Sequence, residues 1–217
     1  MDYVGILISA CLCGGGIAAY TAYLLKHTEE EYTYKGGAAR YLIIIAVNLL
    51  VWLFLYLNIG FTYKFFLYVL ASSALLGLSV VDLAIYEIPV QFNYFILCMG
   101  IIAAVLDWRR WYVYLIGMFL VSGIFYLLAW ITKGRGMGGG DIKLMAALGL
   151  LLGWQKILLV MTLGCILGIV IHGILMIVSK KEHMLAFGPY LSAAGVIVMC
   201  YGDGILHWYI QTFLIFE

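Results

Sequence analysis

The sequence predicts an all-α fold, a polytopic transmembrane helical bundle of about eight membrane segments, and three observations carry that expectation. Of the 217 residues, 66% are hydrophobic and 11% charged. A soluble globular domain carries roughly 45–50% apolar and about 25% charged residues, too polar a balance to match this chain. Second, charge-free stretches recur at about the 20 residues that a helix needs to cross a bilayer. Third, the residues between those stretches are few. Residues 1–217 are therefore expected to form a single integral membrane domain, with 26–40 as its longest polar loop. The same numbers exclude a disordered chain and a disulfide scaffold. A formal net charge of +1 and the lack of any basic run leave no surface for nucleic acid.

The segments follow from where charge stops and starts. Residues 3–25 run uncharged to Lys26. They lack a basic leading region and are too long for a cleaved signal, so they are expected to stay as a span. Residues 41–59 follow Arg40, 65–82 end on Asp82, and 88–106 open with Ile88-Pro89 and stop before Asp107. Residues 111–132 lie between Arg110 and Lys133. A glycine-rich stretch then leads to a sixth segment, 141–153, of 13 residues. At 1.5 Å per residue it reaches about 20 Å, short for a hydrocarbon core of about 30 Å. Such a helix is tolerated where protein or a water-filled cavity surrounds it. Residues 157–179 and 184–202 complete the set, and the apolar tail 204–216 is expected to continue the last helix or lie at the interface.

Orientation follows from the lysines and arginines. The loops on one side carry seven (Lys26, Lys35, Arg40, Lys133, Arg135, Lys180, Lys181) and those on the other carry four (Lys64, Arg109, Arg110, Lys156). That bias places both termini outside and the loops after the first, third, fifth and seventh spans in the cytoplasm. Cys11, Cys13, Cys98, Cys165 and Cys200 sit in apolar stretches without a C-x-x-C pair and read as buried small hydrophobes. Asn48, Asn58, Gln91 and Asn93 read as interhelical hydrogen-bonding groups, and His172 as a packing residue. Asp107 and Asp203 fall on the external side. Tyr, Trp and Phe fit interfacial belts, as at Trp108, Trp111 and Trp208. No His, Cys and acid constellation has metal-ligand spacing, and no cofactor is expected.

Two aspartates stand apart. Asp82 ends the third segment and Asp141 opens the sixth, so the assigned topology puts both at the cytoplasmic face. An ionisable residue at membrane depth is by default a functional candidate; the alternative is an interfacial helix-end residue. The stretch from Gly134 to Gly140 has five glycines in seven residues and stops at Asp141. Glycine admits positive φ and close backbone approach, as a site holding an extended chain beside a carboxylate requires. A flexible linker would not explain why the run ends at an acid followed by Ile142-Lys143-Leu144.

Gly136-Met137-Gly138-Gly139-Gly140-Asp141-Ile142-Lys143-Leu144 resembles the G-x-G-D motif of type IV prepilin peptidases, polytopic aspartyl proteases that remove the short leader of type IV pilin precursors. Asp82, followed after five residues by Ile88-Pro89, resembles the other half of the family pattern. Phe187-Gly188-Pro189-Tyr190 resembles the Phe-Gly-Pro element at the start of the family's last span. The motifs occur in the family's order over roughly residues 65–200. The resemblance implies a catalytic pair, Asp82 and Asp141, with Gly138, Gly140, Lys143, Pro89 and Glu87 as supporting or substrate-binding residues. It also implies a prepilin-like or pseudopilin precursor as substrate, cleavage after a glycine, and the cytoplasmic membrane of a prokaryote. The larger members carry two C-x-x-C pairs between the first two spans, linked to N-methyltransferase activity. The loop 26–40 has no cysteine and suggests a short, peptidase-only form. Val90 stands where the family usually has an acid or amide.

Hydrolysis by such a pair needs one carboxylate to deprotonate water and one carboxylic acid to protonate the carbonyl oxygen, and two adjacent carboxyls share a proton readily. A helix N-terminus suits Asp141 as the base, and a helix C-terminus suits Asp82 as the acid. Lys143 either tempers this pair and binds substrate backbone, or snorkels at the interface. Glu87 either meets a basic leader or is a solvated loop acid. A small transporter with a glycine-broken helix is the competing class, but no related halves are visible. A presenilin-like protease pairs G-x-G-D with Tyr-Asp and a Pro-Ala-Leu element; here Val81 precedes Asp82 and that element is missing.

Overall fold

A computed structural model describes residues 3–27, 38–134, 137–179 and 186–213, and among them all regular structure is helical. The helices are α1 (Tyr3–His27), α2 (Ala38–Ile59), α3 (Tyr63–Ile85), α4 (Val90–Leu106), α5 (Trp111–Ile131), α6 (Gly139–Leu152), α7 (Trp154–Leu167), α8 (Gly173–Ser179) and α9 (Gly188–Phe213). A 3₁₀ turn at Trp108–Arg110 leads into α5, and a π-helical stretch at Gly168–His172 joins α7 to α8 as one long segment. Six of these segments are long and apolar enough to cross a membrane; α4, with 17 residues, is shorter.

Local chemistry sets the ends. Thr62 caps α3 by accepting from the backbone N–H of Phe65 at 3.3 Å. The same helix stops where Tyr86 turns left-handed at φ 57° and donates to the Asp82 carbonyl. Asp82 thus lies inside the last turn of α3, not at its end, because the helix runs on to Ile85. Pro89, with φ −63°, is the cap before α4, so the fourth helix begins at Val90 rather than residue 88. Gly153 closes α6 and opens α7 at φ 83°, a conformation that a side chain disfavours.

The most enclosed long helix is α3, packed by α1, α2, α4 and α9. The short α6 is buried for most of its length, from Asp141 through Leu144, Met145 and Leu148 to Leu152. Its neighbours are α4, α5, α7 and α9. That enclosure resolves its shortness, since no lipid has to meet a helix of 14 residues. The α5–α6 crossing is backbone against backbone: a Cβ on Gly117 or Gly149 would collide with the carbonyl of the other.

Asn48 is one of the interhelical groups the sequence led us to expect. It donates to the Ala10 carbonyl of α1 at 2.9 Å and accepts from Ser73 of α3 at 2.7 Å, and Ser73 also accepts from Trp52 at 2.8 Å. Asn58 instead turns onto its own helix, donating to Phe54, and Gln91 is exposed. The cysteines are a further correction. All five are free, Cys11, Cys98 and Cys165 are exposed, and Cys13 and Cys200 are half-buried. Outer positions of a bundle face lipid, where an apolar side chain gains nothing by turning inward.

The tail residues 204–213 continue α9. Lys35, Arg135, Gly136, Lys180, Lys181 and residue 184, used above for orientation, the glycine motif and the last span, lie outside the described residues.

Candidate active site

Four helix ends meet at one end of the bundle: the last turn of α3 and the first turns of α4, α6 and α9. Asp82 stands in that last turn of α3 and is 4% exposed. Its Oδ2 accepts from the backbone N–H of Gly188, at the start of α9, at 3.0 Å. A Cβ on Gly188 would sit 2.6 Å from the same oxygen, so only glycine lets the amide approach this closely.

Asp141 is the third residue of α6, after the cap residue Gly138 and the helical Gly139 and Gly140. It is 9% exposed, and its Oδ1 is buried with no hydrogen-bond partner among the described residues. The glycines before it are used for space. A Cβ on Gly138 would lie 3.1 Å from Asp141 Oδ2, and one on Gly140 would lie 2.8 Å from the Cβ of Ile88. The carbonyl of Gly140 accepts from Asn93 Nδ2 of α4 at 3.3 Å.

Both carboxyls face one cavity of about 420 Å³, whose wall also includes Tyr86, Glu87, Ile88, Gly138, Gly139, Gly140 and Phe187. Asp141 is within electrostatic reach of Asp82. Among the described residues no lysine or arginine makes an ion pair with either acid. Chemically, the arrangement is a pair of acids from opposite helix polarities. One lies at a C-terminal turn and one at an N-terminal turn, beside space large enough for an extended backbone.

Residues 68–173, which include both acids and the glycine run, match the type IV leader peptidase family. The chain carries a type IV leader peptidase domain. It is 32% identical over 166 residues to the prepilin leader peptidase/N-methyltransferase of Legionella pneumophila, covering 70% of this chain and 56% of that protein. The protein of the same description from Pseudomonas aeruginosa is 32% identical over 162 residues, 71% of this chain and 56% of that protein. That of Aeromonas salmonicida is 40% identical over 101 residues, 45% of this chain and 34% of that protein. The matched part of this chain thus spans between a third and a little over half of these relatives. No solved structure gives a significant match.

Within this leader peptidase domain, the structure brings five of the seven site residues expected from the sequence onto the cavity wall: Asp82, Asp141, Gly138, Gly140 and Glu87. The other two lie off it. Pro89 caps α4. Lys143 is exposed on α6, and residues two apart do not share a helix face, so it points away from the wall that Asp141 lines. His172 lies half-buried in the π-helical stretch. Tyr86, Ile88 and Phe187 line the cavity without having been expected there. For Phe187 and Gly188 the Phe-Gly-Pro motif was the available signal, though it did not say that the glycine amide would reach Asp82. For Tyr86 the sequence holds no comparable signal, since its place follows from the left-handed turn that ends α3.

Proposed function

We propose that this protein is a membrane-embedded aspartyl endopeptidase that removes the short N-terminal leader of type IV prepilin-like precursors, with Asp82 and Asp141 as its acid–base pair. The observation that carries this reading is the shared cavity. Two buried carboxyls, from helices well separated in the chain, face the same space and pair with no cation among the described residues. The leader peptidase match over residues 68–173 supports a leader-bearing precursor as the substrate class.

Asp141, in the first turn of α6, takes a proton from water as the water oxygen bonds to the scissile carbonyl carbon. Asp82, in the last turn of α3, gives its proton to the carbonyl oxygen. When the tetrahedral species collapses, the carbon–nitrogen bond breaks, the leaving nitrogen takes the proton held by Asp141, and Asp82 takes one back from a hydroxyl of the gem-diol, so the pair returns to its starting protonation. They titrate as a unit, and the roles belong to the pair as much as to either residue. The Gly138–Gly140 wall, with no side chains, admits the extended substrate backbone beside Asp141. The site opens to the cytoplasm, as the lysine and arginine balance of the loops supports. The methyl transfer named for the relatives is not included, because the loop 26–40 carries no cysteine.

The test is cleavage of a panel of prepilin-type precursors by the purified protein in lipid, alongside Asp82→Asn and Asp141→Asn. The wild type is expected to release the leader and neither variant to do so. No cleavage by the wild type, or appreciable cleavage by either variant, overturns the reading.

A further inference from the structure

The first turn of α6 is held from within by the Asp141 carboxylate, which folds back to accept from the Gly138 backbone N–H, and by little else. Gly139 and Gly140 bring no side chains, and Gly138 makes no side-chain cap. The first ladder bond, from the Ile142 N–H to the Gly138 carbonyl, is long at 3.4 Å. Glycine gives up more conformational freedom on ordering than any other residue, so this turn is prone to fray on its own. Two contacts from outside the helix fix it. Ile88 lies against Gly140, and the amide of Asn93 donates to the Gly140 carbonyl, the peptide group joined directly to Asp141.

Asn93 is a costly residue in its place. It is 3% exposed, and its Oδ1 is buried without a hydrogen-bond partner among the described residues. A half-satisfied amide is unfavourable where an apolar residue of similar size would pack without penalty. The reverse amide orientation would set Oδ1 against the Gly140 carbonyl, two acceptors facing each other, so Nδ2 is the atom that reaches it.

We infer that Asn93 is a positioning residue: its amide pins the Gly140 peptide and thereby fixes where the Asp141 carboxyl stands relative to Asp82. The inference rests on the reading of Asp82 and Asp141 as the acid–base pair. Asn93 takes no part in proton transfer. Its contribution is to keep the glycine turn from fraying while leaving the wall open to substrate, which a bulky side chain within the turn itself could not do.

Three variants of the purified protein in lipid test this: Asn93→Leu, which keeps volume and removes the donor; Asn93→Gln, which keeps the donor; and Asp141→Asn as the inactive reference. Cleavage of a prepilin-type precursor is read as kcat and KM separately. Hydrogen exchange over residues 137–146 is read without substrate. Asn93→Leu is expected to lower kcat by about tenfold to a hundredfold, the range for a catalytic group displaced by about 1 Å, with KM within about twofold. Exchange should quicken in the first turn of α6 alone, thermal stability should hold or rise, and Asn93→Gln should recover part of kcat. A wild-type kcat for Asn93→Leu overturns the inference. So does a loss of kcat with lower stability and faster exchange throughout the bundle, which marks a merely structural role. If the wild type cleaves nothing while Asn93→Leu still loosens only the α6 turn, positioning stands and the peptidase reading falls.

Discussion

The two ends of this bundle each carry a pair of aspartates, and they treat them in opposite ways. At the far end from the candidate site, Asp107 accepts from the Tyr114 hydroxyl at 3.0 Å and pairs with Arg110 at 3.0 Å. Asp203 pairs with Lys156 at 2.8 Å, and the Lys156 ammonium also lies 5.9 Å from the centre of the Tyr68 ring. The cavity among these groups is about 110 Å³. At the other end, Asp82 has one backbone donor, Asp141 keeps a buried oxygen without a partner among the described residues, and the space beside them is about 420 Å³. Acids matched by cations in a tight pocket tie helix ends together. Acids left unmatched beside open space retain the capacity to exchange protons, which is the physical distinction between a structural and a catalytic carboxyl.

The largest expected effect is at the unmatched pair. Asp82→Asn and Asp141→Asn should each reduce cleavage of a prepilin-type precursor by at least about 10³-fold, the scale seen when one member of a concerted catalytic unit is removed. Thermal stability should hold or rise, because a buried carboxyl without a cation is replaced by a neutral amide. A parallel loss of stability would place these acids in the same class as those at the far end.

Next in size is Gly188→Ala. Its Cβ would stand 2.6 Å from Asp82 Oδ2, so the carboxyl or the start of α9 has to move. A drop in kcat of about a hundredfold is expected, with a stability loss of about 1–3 kcal/mol from overpacking. Unchanged kcat would show that the position of Asp82 does not depend on the glycine amide.

How much of this was legible beforehand differs between the fold and the site. Apolar segment length and charge placement reveal the helices directly, because a bilayer leaves the backbone few other options. The enclosure of α6 was expected from its shortness. The π-helical stretch between α7 and α8 was not, since Gly168–His172 is as apolar as its flanks and periodicity carries no mark of an extra residue in the turn. At the site, Asp82, Asp141 and the glycines stand out because charge is scarce and the glycine run is dense. Tyr86 and Ile88 reach the cavity through the geometry of one left-handed residue, and Asn93 reaches the Gly140 carbonyl through a helix crossing. Neither is a pattern along the chain. The cysteines show the same limit from the other side: an apolar neighbourhood identifies a membrane helix without saying which of its faces points inward.

At the matched end the expected changes are in stability, not catalysis. Asp203→Asn leaves Lys156, a residue 8% exposed, without its carboxylate. Unpairing a fully buried charge costs about 3–5 kcal/mol. Asp203 itself is largely exposed and water can reach the pair, so we expect about 1 kcal/mol after that screening. Lys156→Met, which keeps the stem against Gly202 and Tyr68, should fall within about 1 kcal/mol of the wild type, because an apolar replacement removes the charge with its cost. Both variants should keep kcat, measured beside a thermal melt. A fall in kcat would mean that the two ends are coupled through α3 or α6.

The smallest effect belongs to Glu87, which is exposed at the rim of the large cavity. If the substrate's leader is basic, this carboxylate attracts it through water rather than across a dry contact. Screening then limits what it contributes, since exposed charges lose most of their interaction beyond about 8 Å at physiological salt. Glu87→Gln should raise KM by about two- to fivefold, equivalent to the few tenths to 1 kcal/mol of an exposed ion pair, and leave kcat unchanged. The difference should fade as salt is raised and disappear with a precursor whose leader lysines and arginines are replaced. A change in kcat instead would move Glu87 from the rim into the proton-transfer machinery. The unmatched end would then hold three coupled acids, and the Asp82–Asp141 pair would no longer account for the chemistry alone.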